Sequence, residues 1–499
     1  MSLRDTQVVI LETSRDTIRV RIGLHEFLRA PSFEFFARVG LPKIIAEQDG
    51  PGPSTIKVSD YLVGPHLDEA LAAGQDLIIS WPFVGAQILD WTQAEAIWKY
   101  ALFATLGLRR TQMESPVQLS IFPGLPRSSC ERVCQMFFER FNVAGFSILE
   151  RPMAQIYAAN ALNGLVIDLG YHWTDVSAVY DGFLLKQARA STPVGIKACL
   201  AFLAQVLKTN SSIASTLSPP ESPLSPEALH QAFQDLASTL YHRGLVKPPV
   251  LGPSQLASGE AEEEGVTDIA SILVAGKERA VIEANIKRRA NQKASAAEQA
   301  KLKEIEALDL VTLEFKGKEV TVGKERHRFC DPLFDPRVLK HVPGLEATSF
   351  GHSEKEKDQK PVLSVSEAAW HVLSRVGVDQ RQYILGSPNA AGGLLATGDM
   401  TSYVKGMGPF FAVLLGRYIV QNPEQHLMNE VQPKSVRTLK IPDFYSEYRE
   451  KGEGYAAFLG SSIVAKVTFH ESQTRSFVTK AEYGENGPSA IIGMSPALL

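Results

Sequence analysis

Cysteine is nearly missing: Cys130, Cys134, Cys199 and Cys330 are the only four in 499 residues. So few exclude a disulfide framework and point to a reducing compartment. Cys130 and Cys134 share a helix face, but no His or second Cys pair stands near them at metal spacing. Buried thiols are therefore expected there, and no metal centre. No long apolar run is present either. The longest, MGPFFAVLLGRYIV (407–420), is broken by Gly416 and Arg417 and is too short for a bilayer. The opening MSLRDTQVVI has no apolar stretch of the kind a secretory signal needs. Charge of one sign is not in excess: 21% of residues are charged and the net charge is -4, which argues against a globally basic, nucleic-acid-binding surface. With 44% hydrophobic residues, the composition is that of a globular chain of two or more domains with no membrane partner, expected in the cytosol or nucleus.

What is present is a strand–turn–strand unit that occurs twice. In VVILETSRDTIRVRIGL (8–24), Val8 to Leu11 form an apolar strand, SRD turns the chain, and Ile18, Val20 and Ile22 alternate as a half-buried partner. In VIDLGYHWTDVSAVYDG (166–182) the pattern returns about 160 residues later. Duplication of this kind predicts two related α/β domains facing one another across a cleft. Helices lie between the hairpins. One spans 92–107, with Thr92 and Glu95 at capping-box spacing; another spans 128–141, with Ser128 and Glu131 repeating the device; a third spans 152–162, with Pro152 at its start. The strand 116–124 precedes the second of these. Residues 30–79 read as a small outer lobe. Residues 210–265, rich in Ser and Pro, read as a partly disordered insertion around a helix at 227–242. Residues 277–308 read as a charged exposed helix, within which Lys287-Arg288-Arg289 is a candidate import or acidic-partner patch. Residues 351–361 read as a surface loop.

Five segments in order resemble the actin superfamily: 59–71 with 78–103, 115–143 and 166–182, then GKEVTVGKERHRFCDPLF (317–334), and FLGSSIVAKV (458–467) with TKAEYGENGPSAI (479–491). The resemblance implies an α/β, actin-like duplicated fold with insertions. Its first domain would comprise 1–158 and 448–499, and its second 159–447. DIASILVAGKERAVIEANIKRRA (268–290) and KIPDFYSEYREKGEGYAAFLGSSIVAK (440–466) resemble the ninth class of fungal nuclear actin-related proteins. That class belongs to SWI/SNF and RSC chromatin remodelers, where it pairs with the seventh class on the HSA helix of the motor ATPase.

An actin-type nucleotide site needs two hairpins whose amides grip phosphates, with Gly where the backbone comes close. The first hairpin here, ETSRDTIR (12–19), has Glu12 at the acid position and no Gly. Arg19 falls where the family has Lys. The second keeps Asp168, Gly170 and Thr174, but His172 replaces a second Gly. The family's water-positioning Gln falls on Arg151, which offers only donors and cannot orient an attacking water. Tyr383, Ile384 and Leu385 read as the strand before the purine-side loop, in which Gly386 is retained and Ser387 replaces the next Gly. The expectation is a weak or vestigial nucleotide site at Asp168, Gly170, Thr174 and Gly386, with no certain cofactor, ATP at most weakly bound, no catalytic residue and no metal. By the same resemblance, Tyr157, Ala158, Gly182, Val464 and Val467 fall in the groove that takes amphipathic helices.

The function implied is a non-catalytic nuclear scaffold subunit. It would bind the HSA helix together with a second actin-related protein and meet the nucleosome only through the complex. The alternative is a nucleotide-dependent actin-like switch or ATPase of the cytoskeleton. A sugar- or acetate-kinase reading shares the fold, but no catalytic Asp in a Gly-rich setting supports it.

Overall fold

Both hairpins form as the alternation predicts, and each seeds its own sheet. The computed structural model describes residues 7–24, 28–48, 56–249, 309–343, 345, 362–386, 391–419, 433, 435–470 and 476–494. In the first sheet, β1 (Val9–Thr13) pairs antiparallel with β2 (Thr17–Ile22), and β2 with β3 (Phe33–Phe36). On its other side β1 pairs parallel with β4 (Val117–Ile121), which pairs parallel with β5 (Gly145–Glu150). The short strand Val478–Thr479 closes the far edge. In the second sheet, β6 (Gly164–Leu169) and β7 (Thr174–Tyr180) form the hairpin, β8 (Phe183–Thr192) extends it, and β9 (Leu394–Thr397) runs parallel to β6. Thr438 makes a parallel bridge to Leu394 beyond β9, where the first sheet has its fifth strand. The two sheets thus share one order, which is the duplicated α/β architecture expected of an actin-like fold.

Each sheet has its own apolar core. One is built from β1, β2, β4, β5 and the helices around Trp98, Phe137 and Phe141; the other from β6, β7, Leu203, Phe233, Leu236 and Phe411. A smaller cluster joins them. It contains Met153 and Ile156 of helix α1 (Arg151–Ala158) and Leu459 of helix α2 (Ala456–His470), packed with Val166 and Leu395. The two helices cross closely at Gly460, where a Cβ would stand 1.7 Å from the Ala154 carbonyl oxygen. Only Gly permits that approach.

Several local expectations are corrected. The helix expected over 92–107 is Trp91–Lys99 followed by a π-turn at Tyr100–Thr105, and its cap is Asp90, whose carboxylate accepts from the Thr92 and Gln93 amides. The helix expected over 128–141 is Arg127–Gln135 plus a π-turn, with no side-chain cap from Ser128. Strand 116–124 shortens to β4. Tyr383, Ile384 and Leu385 lie in a helix, Val378–Leu385, and not in a strand. The helix expected over 227–242 forms as Pro226–His242; within 210–249 it and the unexpected helix Ser211–Leu217 bury Ile213, Leu217, Phe233 and Leu236, so these residues are folded core where disorder was expected. Residues 250–308, with Lys287-Arg288-Arg289, and 351–361 lie outside the described residues. All four cysteines are buried and free, and burial pushes the Cys130 and Cys134 thiols up to about 12. Among the described residues no helix is long and apolar enough to cross a membrane.

Candidate functional site: a filled cleft and an open groove

Within each sheet the parallel strands run the same way, and the residues at or just past the carboxyl ends of β1, β5, β6 and β9 (Ser14, Arg151, Asp168 and Asp399) line one cleft, the end at which such sheets bind ligands. The hairpin tips 14–16 and 170–173 reach into the cleft from opposite sides. The turn Gly398-Asp399 joins them because it follows β9, whose Thr397 lies beside Asp168 of β6. Gly398 adopts φ +95, and a Cβ there would meet the Asp168 carboxylate and the Leu169 backbone. This turn lies beside the second hairpin, whereas Gly386 caps the helix Val378–Leu385 in a left-handed conformation. The expected assignment of Gly386 to the cleft is therefore corrected. Asp399 is the residue that sequence reasoning missed, and its signal was the strand LLAT directly before it.

Three arginines cross the cleft or bridge its walls. Arg15 Nη1 donates to Asp175 Oδ2 at 2.6 Å, and its Nε donates to the Gly85 carbonyl at 2.7 Å. Arg19, 1% exposed, bonds Glu12, Glu34 and Asp399. Arg151 bonds Glu12 of the first sheet and Asp168 of the second, the latter at 2.8 Å, and Gln155 Nε2 also donates to Asp168 at 2.8 Å. Burial works against the charge on Arg151, but Asp168 and Glu12 overcome it and hold the guanidinium protonated. Burial likewise opposes the Asp168 carboxylate, and Arg151 and Gln155 keep it below its usual range. Burial pushes Asp399 up to about 6, against the pull of Arg19 and with the push of Glu34.

The first hairpin also places a carboxylate in the second. Asp16 Oδ2 accepts from the backbone N–H of Tyr171 at 2.9 Å and of His172 at 3.0 Å, while His172 Nδ1 stands 2.6 Å from Asp16 Oδ1. Consecutive turn amides of this kind are what grip a phosphate in an anion nest. Above them Trp81 and Phe36, at the base of the small lobe, pack on Tyr171, and Trp81 also packs on His172.

An ATP implied by the fold does not fit these residues. The cavity left at the hairpin tips is about 20 Å³, against about 300 Å³ or more for an ordinary small-molecule site. The nest amides are taken by Asp16. Three arginines face six carboxylates (Glu12, Asp16, Glu34, Asp168, Asp175 and Asp399), so a polyphosphate would enter a site already negative. Thr174 is corrected as a cofactor contact: its buried hydroxyl donates at 2.7 Å to the carbonyl of Val194, just past the end of β8. The Gly170 amide donates within its own turn, to Trp173. Among the described residues no cluster of His, Cys, Asp and Glu could hold a metal.

At the opposite end of β6 and α1 a groove of about 470 Å³ is open. Ile148, Tyr157, Leu162, Phe183, Val464 and Val467 line it. Leu162, Phe183 and Val467 are each about half exposed, 51–53%. The Tyr157 hydroxyl donates to the Gly182 carbonyl at 2.7 Å, which fixes the ring against the β7–β8 turn. Of the expected groove residues, Tyr157, Val464 and Val467 line the wall and Gly182 supports it. Ala158 does not: it faces inward and is fully buried, so its placement in the groove is corrected. Leu162 and Phe183 were missed, although each flanks an expected turn.

Comparison with known proteins agrees with this architecture. A family model described as Actin matches residues 30–236. The SWI/SNF and RSC complexes subunit arp9 of Schizosaccharomyces pombe is 24% identical over 98% of this chain and 99% of its own length. Actin-related protein 2 of Saccharomyces cerevisiae is 29% identical over 31% of this chain and 38% of its own length.

Proposed function

From the premise that the chain belongs to the actin superfamily, we propose that it is a non-catalytic scaffold subunit of a SWI/SNF- or RSC-type chromatin remodeler, working in the nucleus. Its partner in the groove is a long amphipathic helix, the HSA segment of the motor ATPase, held jointly with a second actin-related protein of the seventh class. The nucleosome is reached only through the complex. That the relative from Schizosaccharomyces pombe is a subunit of SWI/SNF and RSC complexes supports the remodeler, and its end-to-end alignment supports transfer to the whole chain.

The observation that carries the reading is the contrast between the two ends of α1. At Arg151 the cleft is filled by side chains, and the guanidinium itself, already paired with Glu12 and Asp168, has only donors to offer a water. At Tyr157 an apolar groove stays open, with Leu162, Phe183 and Val467 presented to it. Three half-exposed large apolar residues in one groove suit i, i+3, i+4 anchors of a helix.

Co-purification of the full chain with a tagged HSA segment tests the reading. The expected result is a stable complex that Val467→Asp abolishes while the melting temperature stays within a degree or two, since this side chain is half exposed. No complex with a folded wild-type chain would overturn it. The competing nucleotide switch requires Mg-ATP to raise the melting temperature, and no such rise is expected.

A further inference from the structure

We propose that Asp16 is the chain's own substitute for a bound anion, and that it clamps the two domains shut without a ligand. The Tyr171 and His172 amides point into the cleft from the second hairpin, and turn amides so placed need an acceptor from solvent or from the protein. Asp16, from the first domain, fills them with one carboxylate oxygen and meets the His172 ring with the other. The side chain is 6% exposed and the contact bridges residues 155 and 156 apart in sequence, so it is a tertiary contact between the domains. Charge-assisted bonds from paired N–H groups to a carboxylate are the strong kind.

The clamp is extended on both sides. Arg15, next in the chain, crosses to Asp175, and its other edge holds the Gly85 carbonyl of the loop beside the small lobe. Phe36 and Trp81 then close over Tyr171. Deeper in, Arg19–Asp399 and Arg151–Asp168 span the same gap. Apart from Arg15–Gly85, which ties the first hairpin to its own lobe, each of these links crosses from the side of the first sheet to the side of the second, and each uses groups carried by the chain itself. A pocket that a ligand would otherwise draw closed is thereby closed on folding.

The consequence reaches the groove. Helix α1 begins in the clamp at Arg151 and ends in the groove at Tyr157, so the separation of the domains at one end sets the width at the other. This last step rests on the helix-binding reading above; the clamp itself does not.

Hydrogen exchange across the 170–173 turn tests the clamp directly. In the unmodified full chain without nucleotide, the Tyr171 and His172 amides are expected to exchange at least tenfold slower than free turn amides, with no change when excess Mg-ATP is added. Asp16→Asn keeps the shape and removes the charge, and is expected to speed these amides about tenfold or more while the β4 and β5 amides hold their protection. It should also weaken HSA-segment binding several-fold. Fast exchange in the wild type, slowing by Mg-ATP, or unchanged protection in Asp16→Asn would each overturn the clamp. If Asp16→Asn does not fold, the wild-type exchange with and without Mg-ATP decides alone. Failure of the wild type to bind the helix, with the amides protected, would instead overturn the functional reading and leave the clamp standing.

Discussion

At the scale of single residues, the cleft turns on how a few charges are paired. Arg151 sits between Glu12 and Asp168, with Glu12 1% exposed. Arg151→Gln, which places the family's residue at this position, is expected to yield no hydrolysis. It should instead cost roughly 3 kcal/mol in urea unfolding, towards the low end for a broken buried pair, because Glu12 and Asp168 each lose one cationic partner while keeping Arg19 and Gln155. Asp399 makes a pH-dependent contribution of known sign. Its carboxyl rises from 3.8 to about 6 on folding, so the folded state holds the proton more tightly. The stability from this group is full below about pH 4 and is lost as pH rises towards 6. Asp399→Asn lacks that loss. The stability advantage of wild type over Asp399→Asn, measured by denaturant melts, should therefore shrink between pH 4 and 7 by on the order of 1–3 kcal/mol. The departures at Glu12, Arg19 and Arg151 could be read along the chain because each is a chemical type at a motif position. The pairing Asp16–His172 could not, since it joins two turns 156 residues apart and neither turn carries a sign of the other.

At the scale of elements, both hairpins follow from alternation and spacing, since burying one face of a strand leaves little choice of register. The end caps were harder to read. Thr92 and Glu95 have capping-box spacing, but Asp90, two residues earlier, accepts two amides and so starts the helix sooner. The segment 383–385 is apolar enough for a strand, yet it completes a helix that Gly386 ends; a three-residue apolar run cannot tell the two apart. Assigning a strand there displaced the cleft turn from Gly398-Asp399 to Gly386. The α1–α2 crossing gives a test at this scale. Gly460→Ala would place a methyl 1.7 Å from the Ala154 carbonyl oxygen. It should force the helices apart and lower stability by about 1–3 kcal/mol in thermal or urea melts. HSA-segment binding should weaken with it, because Tyr157 and Val464 stand on those two helices.

At the scale of the whole molecule, internal ion pairs fill the cleft between the two sheets of an actin-like fold, while an apolar groove stays open at the far end. On the scaffold reading proposed above, such an arrangement frees the shape from nucleotide supply. The most direct measurement is calorimetry on the full chain, titrated in turn with Mg-ATP and with an HSA-segment peptide. The expected result is saturable heat with the helix and none with Mg-ATP. Tight Mg-ATP binding without helix binding would contradict it and restore the nucleotide switch.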